Sequence, residues 1–337
     1  MPSLRFGILG AADIARRYTG EALKSARGVE LVGVAARDRG RAAALADDLG
    51  VSVFDSYEAI VDSPDVDAIY IPLPIGLHAQ WALRAIERGK HVLCEKSLAG
   101  SLGDAERIID AATAAGVLVM ENFMCTYHEQ NLLVRRTVAS GGIGSVAQAA
   151  LSFGFPPFRE DDLKYNRELQ GGALNDAGAY CLKMARFHIP SAPLRILAVA
   201  DYGDRDVDVR GSAMVTFTGG EVAHLAWGFD NDYRNETRLW GQTGSIEIDR
   251  SFSIPPDRVP SVTVIRNGER RQESVAPMNH FVALIEDFAS RVVERRLEDA
   301  ARELRVQAIM MEAARVSARD ASVVELASFP SWPLTSE

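Results

Sequence analysis

Residues 7–15 read GILGAADIA, a strand that runs into a glycine turn and a helix. Leu4 to Leu9 is a short, mostly apolar run suited to a buried parallel strand. Gly10 follows, and Ala11, Ala12, Asp13, Ile14 and Ala15 open an alanine-rich helix. A dinucleotide-binding turn needs glycine where the chain reverses. It needs a small residue where backbone nears the pyrophosphate, and glycine or alanine where helix packs on strand. Gly10, Ala12 and Ala15 occupy those places. The middle place is not glycine, so the turn alone also fits an ordinary strand–turn–helix. The helix N-terminus would offer free N–H groups and a positive dipole end to phosphate. Residues 10–15 are therefore expected to cradle a dinucleotide.

The next strand is expected over Val29–Ala35 and ends at Ala36-Arg37-Asp38-Arg39-Gly40-Arg41. In NAD-binding sheets an acid at this tip holds the ribose 2′-hydroxyl, and arginine accommodates the NADP 2′-phosphate instead. Guanidinium binds phosphate through paired hydrogen bonds. Arg37 with Arg39 or Arg41 fits a phosphate clamp, which favours NADP(H) over NAD(H); Asp38 argues the other way, and a solvated charge run opening a helix is the alternative.

Alternation continues with strands at 67–71, 91–94 and 117–121 and helices at about 77–88 and 105–115. This pattern predicts a doubly wound parallel sheet with right-handed crossovers. Ligands bind outside the carboxyl ends of such strands. Tyr70, Pro72, Leu73, Pro74, Glu95, Lys96, Asn122 and Phe123 fall at or just past those ends. The phrase LCEKS at 93–97 delivers a lysine there. A nucleotide-cradling turn and a delivered lysine on one sheet point to a nicotinamide-dependent oxidoreductase.

Near residue 123 the pattern changes. A helix over 129–140 is followed by strand-like runs at 146–155, 194–200, 212–218, 222–229, 236–240, 245–248 and 262–266. A helix at 173–187 is inserted among them, and helices at 280–295 and 300–317 follow. The reading is a large, mostly antiparallel open sheet with helices on one face. The expected domains are residues 1–123, binding the cofactor, and 124–337, binding substrate and forming a homodimer or homotetramer.

Composition narrows the function classes. A formal charge of −9 gives no support for nucleic-acid binding. No apolar stretch reaches the ~18 residues of a membrane span. The three cysteines, Cys94, Cys125 and Cys181, show no paired spacing, and the first residues lead straight into a strand; a cytoplasmic protein without a signal peptide is expected. There is no His/Cys cluster with metal-ligand spacing, so no catalytic metal is expected.

The chain resembles the glucose–fructose oxidoreductase / inositol dehydrogenase / MocA family over nearly its full length. The resemblance is carried by GILGAADIA (7–15), YIPLPIGLH (70–78), CEKSLAG (94–100), ENFM (121–124), GGALNDAGAY (171–180) and NHFVALIEDF (279–288). Residues 155–180 with 228–241 resemble its branch of nucleotide-sugar 3-ketoreductases of deoxysugar biosynthesis. The resemblance implies that Lys96 lies near the nicotinamide and the reacting carbon. Ser97 replaces the family's proline there. The family's cis bond after Lys96 therefore does not carry over by the resemblance, since cis peptides without proline cost about 2.5–4 kcal/mol.

Asp176-Ala177-Gly178-Ala179-Tyr180 matches the second family motif. Four residues apart, Asp176 and Tyr180 would share one helical face. The resemblance places Tyr180 as general acid, its acidity raised by the Lys96 ammonium, and Asp176 as a substrate-hydroxyl ligand. Tyr165, Asn122, Tyr127 and His128 are candidate substrate contacts; His78 and Glu95 are candidate cofactor neighbours or structural anchors. Trp227 and Trp240 are expected in the core or at a subunit interface, and His224 and His280 are read as structural. The implied reaction is hydride transfer to the keto group of a sugar in a cleft between domains. An NADP-dependent dehydrogenase of free aldoses, cyclitols or dihydrodiols uses the same groups. A dinucleotide-binding sensor that has lost catalysis is the alternative of another class.

Overall fold

The computed structural model describes residues 3–333; residues 1–2 and 334–337 of the two expected domains lie outside it. The chain forms two compact units, Met1–Met124 with His280–Arg305, and Cys125–Asn279 with Val306–Glu337.

In the first unit six strands form one parallel sheet: β1 (Leu4–Leu9), β2 (Val29–Ala35), β3 (Ser52–Val53), β4 (Ala68–Ile71), β5 (His91–Cys94) and β6 (Val119–Glu121). Their order, β3-β2-β1-β4-β5-β6, is that of a doubly wound dinucleotide-binding sheet. The order reverses between β1 and β4, the kind of point at which doubly wound sheets bind ligands outside the carboxyl ends of their strands. β4 is buried along its whole length, as expected of a strand covered on both faces. The helices His78–Glu87 and Leu102–Ala115 stand close to their expected ranges. The helix His280–Val293 returns from late in the chain to pack on this unit. Phe288 meets Phe6 at 5.3 Å between ring centroids, and Phe281 stacks on Tyr18 at 5.5 Å. Burying each such phenylalanine stabilises the unit by roughly 1.5–3 kcal/mol. Glu286 accepts hydrogen bonds from Arg27 Nε and Nη2, each at 3.0 Å.

The second unit holds a nine-stranded sheet of β7 (Val146–Gly154), β8 (Pro193–Asp201), β9 (Arg210–Phe217), β10 (Val222–Gly228), β11 (Arg234–Gly241), β12 (Gly244–Asp249), β13 (Ser261–Arg266), β14 (Glu269–Ser274) and β15 (Val324–Glu325). The order is β14-β13-β12-β11-β7-β10-β9-β8-β15. Only the β7–β10 pair is parallel. Period-two alternation located seven of these strands. It passed over β14, whose sequence ERRQES carries no apolar residue, and the two-residue β15. Asn267 and Gly268, both at positive φ, make the tight turn between β13 and β14 that their sequence predicts.

Burial alternates along β9, β10 and β11, so the sheet has a covered and an open face. Trp227 lies on the covered side and is buried. The open face carries Val199, Leu197, Met214 and Trp240, with Trp240 62% and Val199 61% exposed. Strand register sets Leu197 opposite Met214 and Met214 opposite His224 in one row, whereas Trp240 lies in another, opposite Gln148.

Candidate active site

Gly10 sits at φ +130°, a conformation that side chains disfavour, and its N–H donates to the Ala35 carbonyl at 2.7 Å. A Cβ there would stand 2.9 Å from Leu73 Cδ2. The glycine turn and the Pro72-Leu73-Pro74 segment, two separate sequence predictions, therefore touch. The helix begins at Asp13 rather than at Ala11, and Ala15–Thr19 is wound as a π-turn, not the ordinary α-turn expected. The Gly20 N–H closes that turn onto the Ala15 carbonyl. A Cβ on Gly20 would lie 2.6 Å from this oxygen, so glycine is what admits the wide turn.

Arg41 Nη2 donates to the Ala11 carbonyl at 2.7 Å, which brings its guanidinium to the mouth of the turn. Asp38 caps the helix Arg39–Leu49 by accepting from the Arg41 N–H at 3.0 Å. Its carboxylate is thus engaged locally. Arg39 pairs with Asp55 at 2.6 Å, and Arg37 is exposed at the strand tip. The glycine turn and the helix start stand where doubly wound sheets bind a dinucleotide, with the arginines at the tip of the neighbouring strand.

The carboxyl ends of β4, β5 and β6 hold a polar cluster. Tyr70 donates its hydroxyl proton to Glu95 Oε1 at 2.6 Å, and Asn122 Nδ2 donates to the same oxygen at 2.6 Å. The Tyr70 oxygen is also 3.0 Å from Thr19 Oγ1 in the π-turn. A phenol has one proton, so the threonine hydroxyl is the donor of that bond. Burial raises the Glu95 pKa above the usual carboxylate value, against the lowering effect of its hydrogen bonds and of Lys96. Burial and the Glu95 charge push Tyr70 well above the ordinary tyrosine range. Asn122 Oδ1 is buried with no hydrogen-bond partner among the described residues, an acceptor suited to an amide donor such as a carboxamide.

Lys96 follows Glu95 directly, and the Lys96–Ser97 peptide is cis although serine stands where the family has proline. Local contacts hold this turn. The His78 ring spans the Ser97 and Leu73 carbonyls, with Nδ1 at 2.8 Å and Nε2 at 2.7 Å, and Leu98 N–H donates to Glu121 Oε1 at 2.7 Å. Two carbonyl neighbours favour the doubly protonated imidazole, but burial is the larger effect and lowers the His78 pKa. His78 is thus a buried tie between the Leu73 segment and the Lys96 turn.

The second unit presents its own cluster. Leu174–Gly178 is a π-turn leading into the helix Ala179–His188. The wide turn rotates each residue by less than an α-helix does, so four residues come close to one revolution and the one-face spacing of Asp176 and Tyr180 is kept. Asp208 fixes the start of the turn: its carboxylate accepts from Leu174 N–H at 2.6 Å and its carbonyl from Ala173 N–H at 2.8 Å. Asp176 is ion-paired with Lys164, whose ammonium stands 5.1 Å over the Phe158 ring and 5.8 Å from Phe229. Tyr180 is buried against Phe153 and Phe252, at 5.4 and 6.2 Å between centroids. The Tyr165 hydroxyl accepts from Phe158 N–H at 3.2 Å, and Arg205 lies 4.2 Å over its ring. Tyr127 is half-buried in a 3₁₀ turn. His128 is buried and caps the helix Glu129–Ala139 through Nδ1, and burial lowers its pKa to about 4.

Neither Lys164 nor Asp208 was among the expected site residues. No spacing marks them, because loop closure alone brings them to the helix. Among the described residues no group of three His, Cys, Asp or Glu side chains is placed to hold a metal ion. No helix is long and apolar enough to cross a membrane. Cys94, Cys125 and Cys181 are free and buried.

Residues 4–123 match an oxidoreductase family with an NAD-binding Rossmann fold, and residues 132–247 match the GFO/IDH/MocA C-terminal domain. The chain is 37% identical over 294 residues to dTDP-3,4-didehydro-2,6-dideoxy-alpha-D-glucose 3-reductase of Streptomyces antibioticus, covering 87% of this chain and 90% of that one. The chain belongs to the GFO/IDH/MocA family. It is an NAD(P)-dependent oxidoreductase acting on CH–OH and C=O groups. It is also 33% identical to D-xylose 1-dehydrogenase (NADP(+)) 2 of Haloferax volcanii, over 96% of this chain and 100% of that one. The solved 3-ketoreductase of Actinomadura kijaniata, in complex with NADP and TDP-benzene, superposes with a TM-score of 0.89 at 34% identity, covering 94% and 98% of the two chains. That protein has also been solved with a tyrosine changed to phenylalanine and with a lysine changed to alanine.

Proposed function

We propose that this enzyme reduces the keto group of a nucleotide-linked 3-keto-deoxyhexose with NADPH, the first unit holding the cofactor and the second the sugar. One observation carries this reading. The lysine and tyrosine substituted in the Actinomadura kijaniata 3-ketoreductase are as many positions apart as Lys96 and Tyr180. The cofactor, when bound, supplies the hydride. The N–H groups around Gly10–Ala15 and the helix dipole bind its pyrophosphate. The Lys96 ammonium stabilises negative charge developing on the carbonyl oxygen. Tyr180 donates the proton to that oxygen. Asp176 and Tyr165 orient the sugar. His128 acts through the helix it caps.

The test follows NADPH consumption with a panel of nucleotide-linked 3-keto sugars and, in reverse, free aldoses and cyclitols. Turnover of the nucleotide-linked ketones alone is expected. Efficient oxidation of D-xylose would favour the second reading, which the full-length similarity to the xylose dehydrogenase supports. Cofactor binding without any turnover would support the sensor.

NADP(H) preference rests on Arg37 and Arg41, with Asp38 occupied as a helix cap. Arg37→Ala is expected to raise the NADPH dissociation constant ~10- to 100-fold, the loss of one charge-assisted contact of about 1.5–3 kcal/mol. NADH binding should change little. Tighter binding of NADH than of NADPH by the unaltered protein would overturn the clamp.

The open face of the second sheet is proposed as the contact between copies. Val199, Leu197, Met214 and Trp240 expose apolar area on one surface, the kind of patch that marks an interface. A dimer or tetramer with closed symmetry is expected. Trp240→Arg should lower the mass measured by light scattering at micromolar concentration. A monomer before substitution would remove the idea.

A further inference from the structure

Tyr70 emerges from β4 as a fully buried phenol in a strand that otherwise carries only apolar side chains. Packing alone would be served by phenylalanine. The hydroxyl instead links three elements: it receives from Thr19 of the π-turn, donates to Glu95 after β5, and shares Glu95 Oε1 with the Asn122 amide after β6. Two donors converging on one oxygen suit a carboxylate and oppose a neutral acid. We propose that Tyr70 is a positioning residue for turnover: with Asn122 it holds the Glu95 carboxylate beside Lys96, and loss of that charge on acidification disables the lysine. The inference rests on the proposed catalytic part of Lys96 and adds the group that governs it.

The neighbouring groups support the assignment. Lys96 is a positive neighbour of Glu95 and favours its ionised form. Glu121, from β6, is engaged by the Leu98 N–H. Cys94, from β5, is pushed well above the ordinary thiol range by burial and by the charges of Glu121 and Glu95, so it stays neutral. Tyr70 likewise stays protonated and remains a donor throughout the working range. Thr19 and Asn122 do not titrate. Burial raises the Glu95 pKa above the usual carboxylate value, so this carboxylate takes up a proton earlier on acidification than an exposed one would; His78, which bonds the Ser97 and Leu73 carbonyls rather than Glu95, is biased toward its neutral form by burial and by the Lys96 charge.

The sign follows. As the pH falls, Glu95 takes up a proton, the two donors lose their anionic acceptor, and Lys96 loses a negative neighbour. Removing the Tyr70 hydroxyl removes one of the bonds that favour the carboxylate, so protonation moves to higher pH. A hydrogen bond to a charged group corresponds to a shift of about one unit or more.

The experiment measures kcat against pH for the unaltered enzyme, Tyr70→Phe, Glu95→Gln and Lys96→Ala. It also titrates the carboxyl C=O infrared band of each protein without cofactor. Tyr70→Phe is expected to move the acid limb of kcat and the infrared titration upward together, by about one unit or more. Glu95→Gln should abolish both. Should Tyr70→Phe fail to fold, Asn122→Ser removes the other donor and carries the same expectation. A merely structural role would lower turnover by one factor at every pH and leave the limb in place, which overturns the inference. So does a band that moves while the limb stays. Lys96→Ala separates the two readings: full turnover in that variant overturns the catalytic part of Lys96. Loss of turnover there, with limb and band unmoved in Tyr70→Phe, overturns only the part assigned to Tyr70.

Discussion

Lys96→Ala is expected to lower kcat by ~10²- to 10⁴-fold, which at 1.36 kcal/mol per decade is about 3–5.5 kcal/mol of lost transition-state stabilisation. The loss is electrostatic in origin. Hydride arrival turns a neutral carbonyl into an alkoxide, and an ammonium aimed at that oxygen gains far more from the product-like charge than from the ketone. The effect should therefore appear in kcat, and not only in KM. Cofactor binding should persist, because the proposed pyrophosphate cradle, the Gly10 turn and the helix N-terminus, lies at the end of β1 rather than β5. Lys96→Arg keeps a positive charge but replaces a compact ammonium with a planar fork, and should recover only part of the loss. The measurement is single-turnover NADPH oxidation beside a direct NADPH titration. Turnover in Lys96→Ala within a few-fold of the unaltered enzyme would remove the lysine from the chemistry.

How this lysine reaches its place shows what the sequence carries. Apolar runs of strand length alternating with helices specify a doubly wound sheet, and the ends of its strands specify where ligands bind. Gly10, Leu73, Glu95, Lys96 and Asn122 were all legible in that way, because each is placed by a strand. In the second unit, alternation located the strands wherever one face is buried. It gave no signal for β14, an all-polar edge strand held by backbone pairing to β13.

Three features were not legible because tertiary contacts decide them. The two π-turns keep the composition of ordinary helices. The first depends on a missing Cβ at Gly20, where the Ala15 carbonyl comes close. The cis peptide after Lys96 lacks its usual proline, and the side chains bonded to the turn, His78 and Glu121, belong to other segments. The Lys164–Asp176 pair joins a loop to a helix, with Phe158 and Phe229 beside the ammonium, and no local spacing announces it. In each case the sequence names the residue but not the neighbour that gives it a task.

Tyr180→Phe is the sharper test of the proposed chemistry, because it keeps the ring and deletes only the hydroxyl. The ring is packed against Phe153 and Phe252, so the variant should retain its fold and its melting temperature within a few degrees. Turnover should fall by ~10²- to 10⁴-fold, the range for loss of a positioned acid–base group. NADPH affinity should survive. The Lys96→Ala/Tyr180→Phe double variant then decides whether the two groups act together. Independent contributions multiply, whereas groups serving one transition state lose much less in combination than the product of the single losses. The expected result is a double variant within about tenfold of the weaker single variant, because once the proton donor is gone there is little left for the charge to assist. Losses that multiply would mean that Lys96 and Tyr180 serve different steps. Near-normal turnover in Tyr180→Phe would pass the proton-donor task to water or to Lys96 itself.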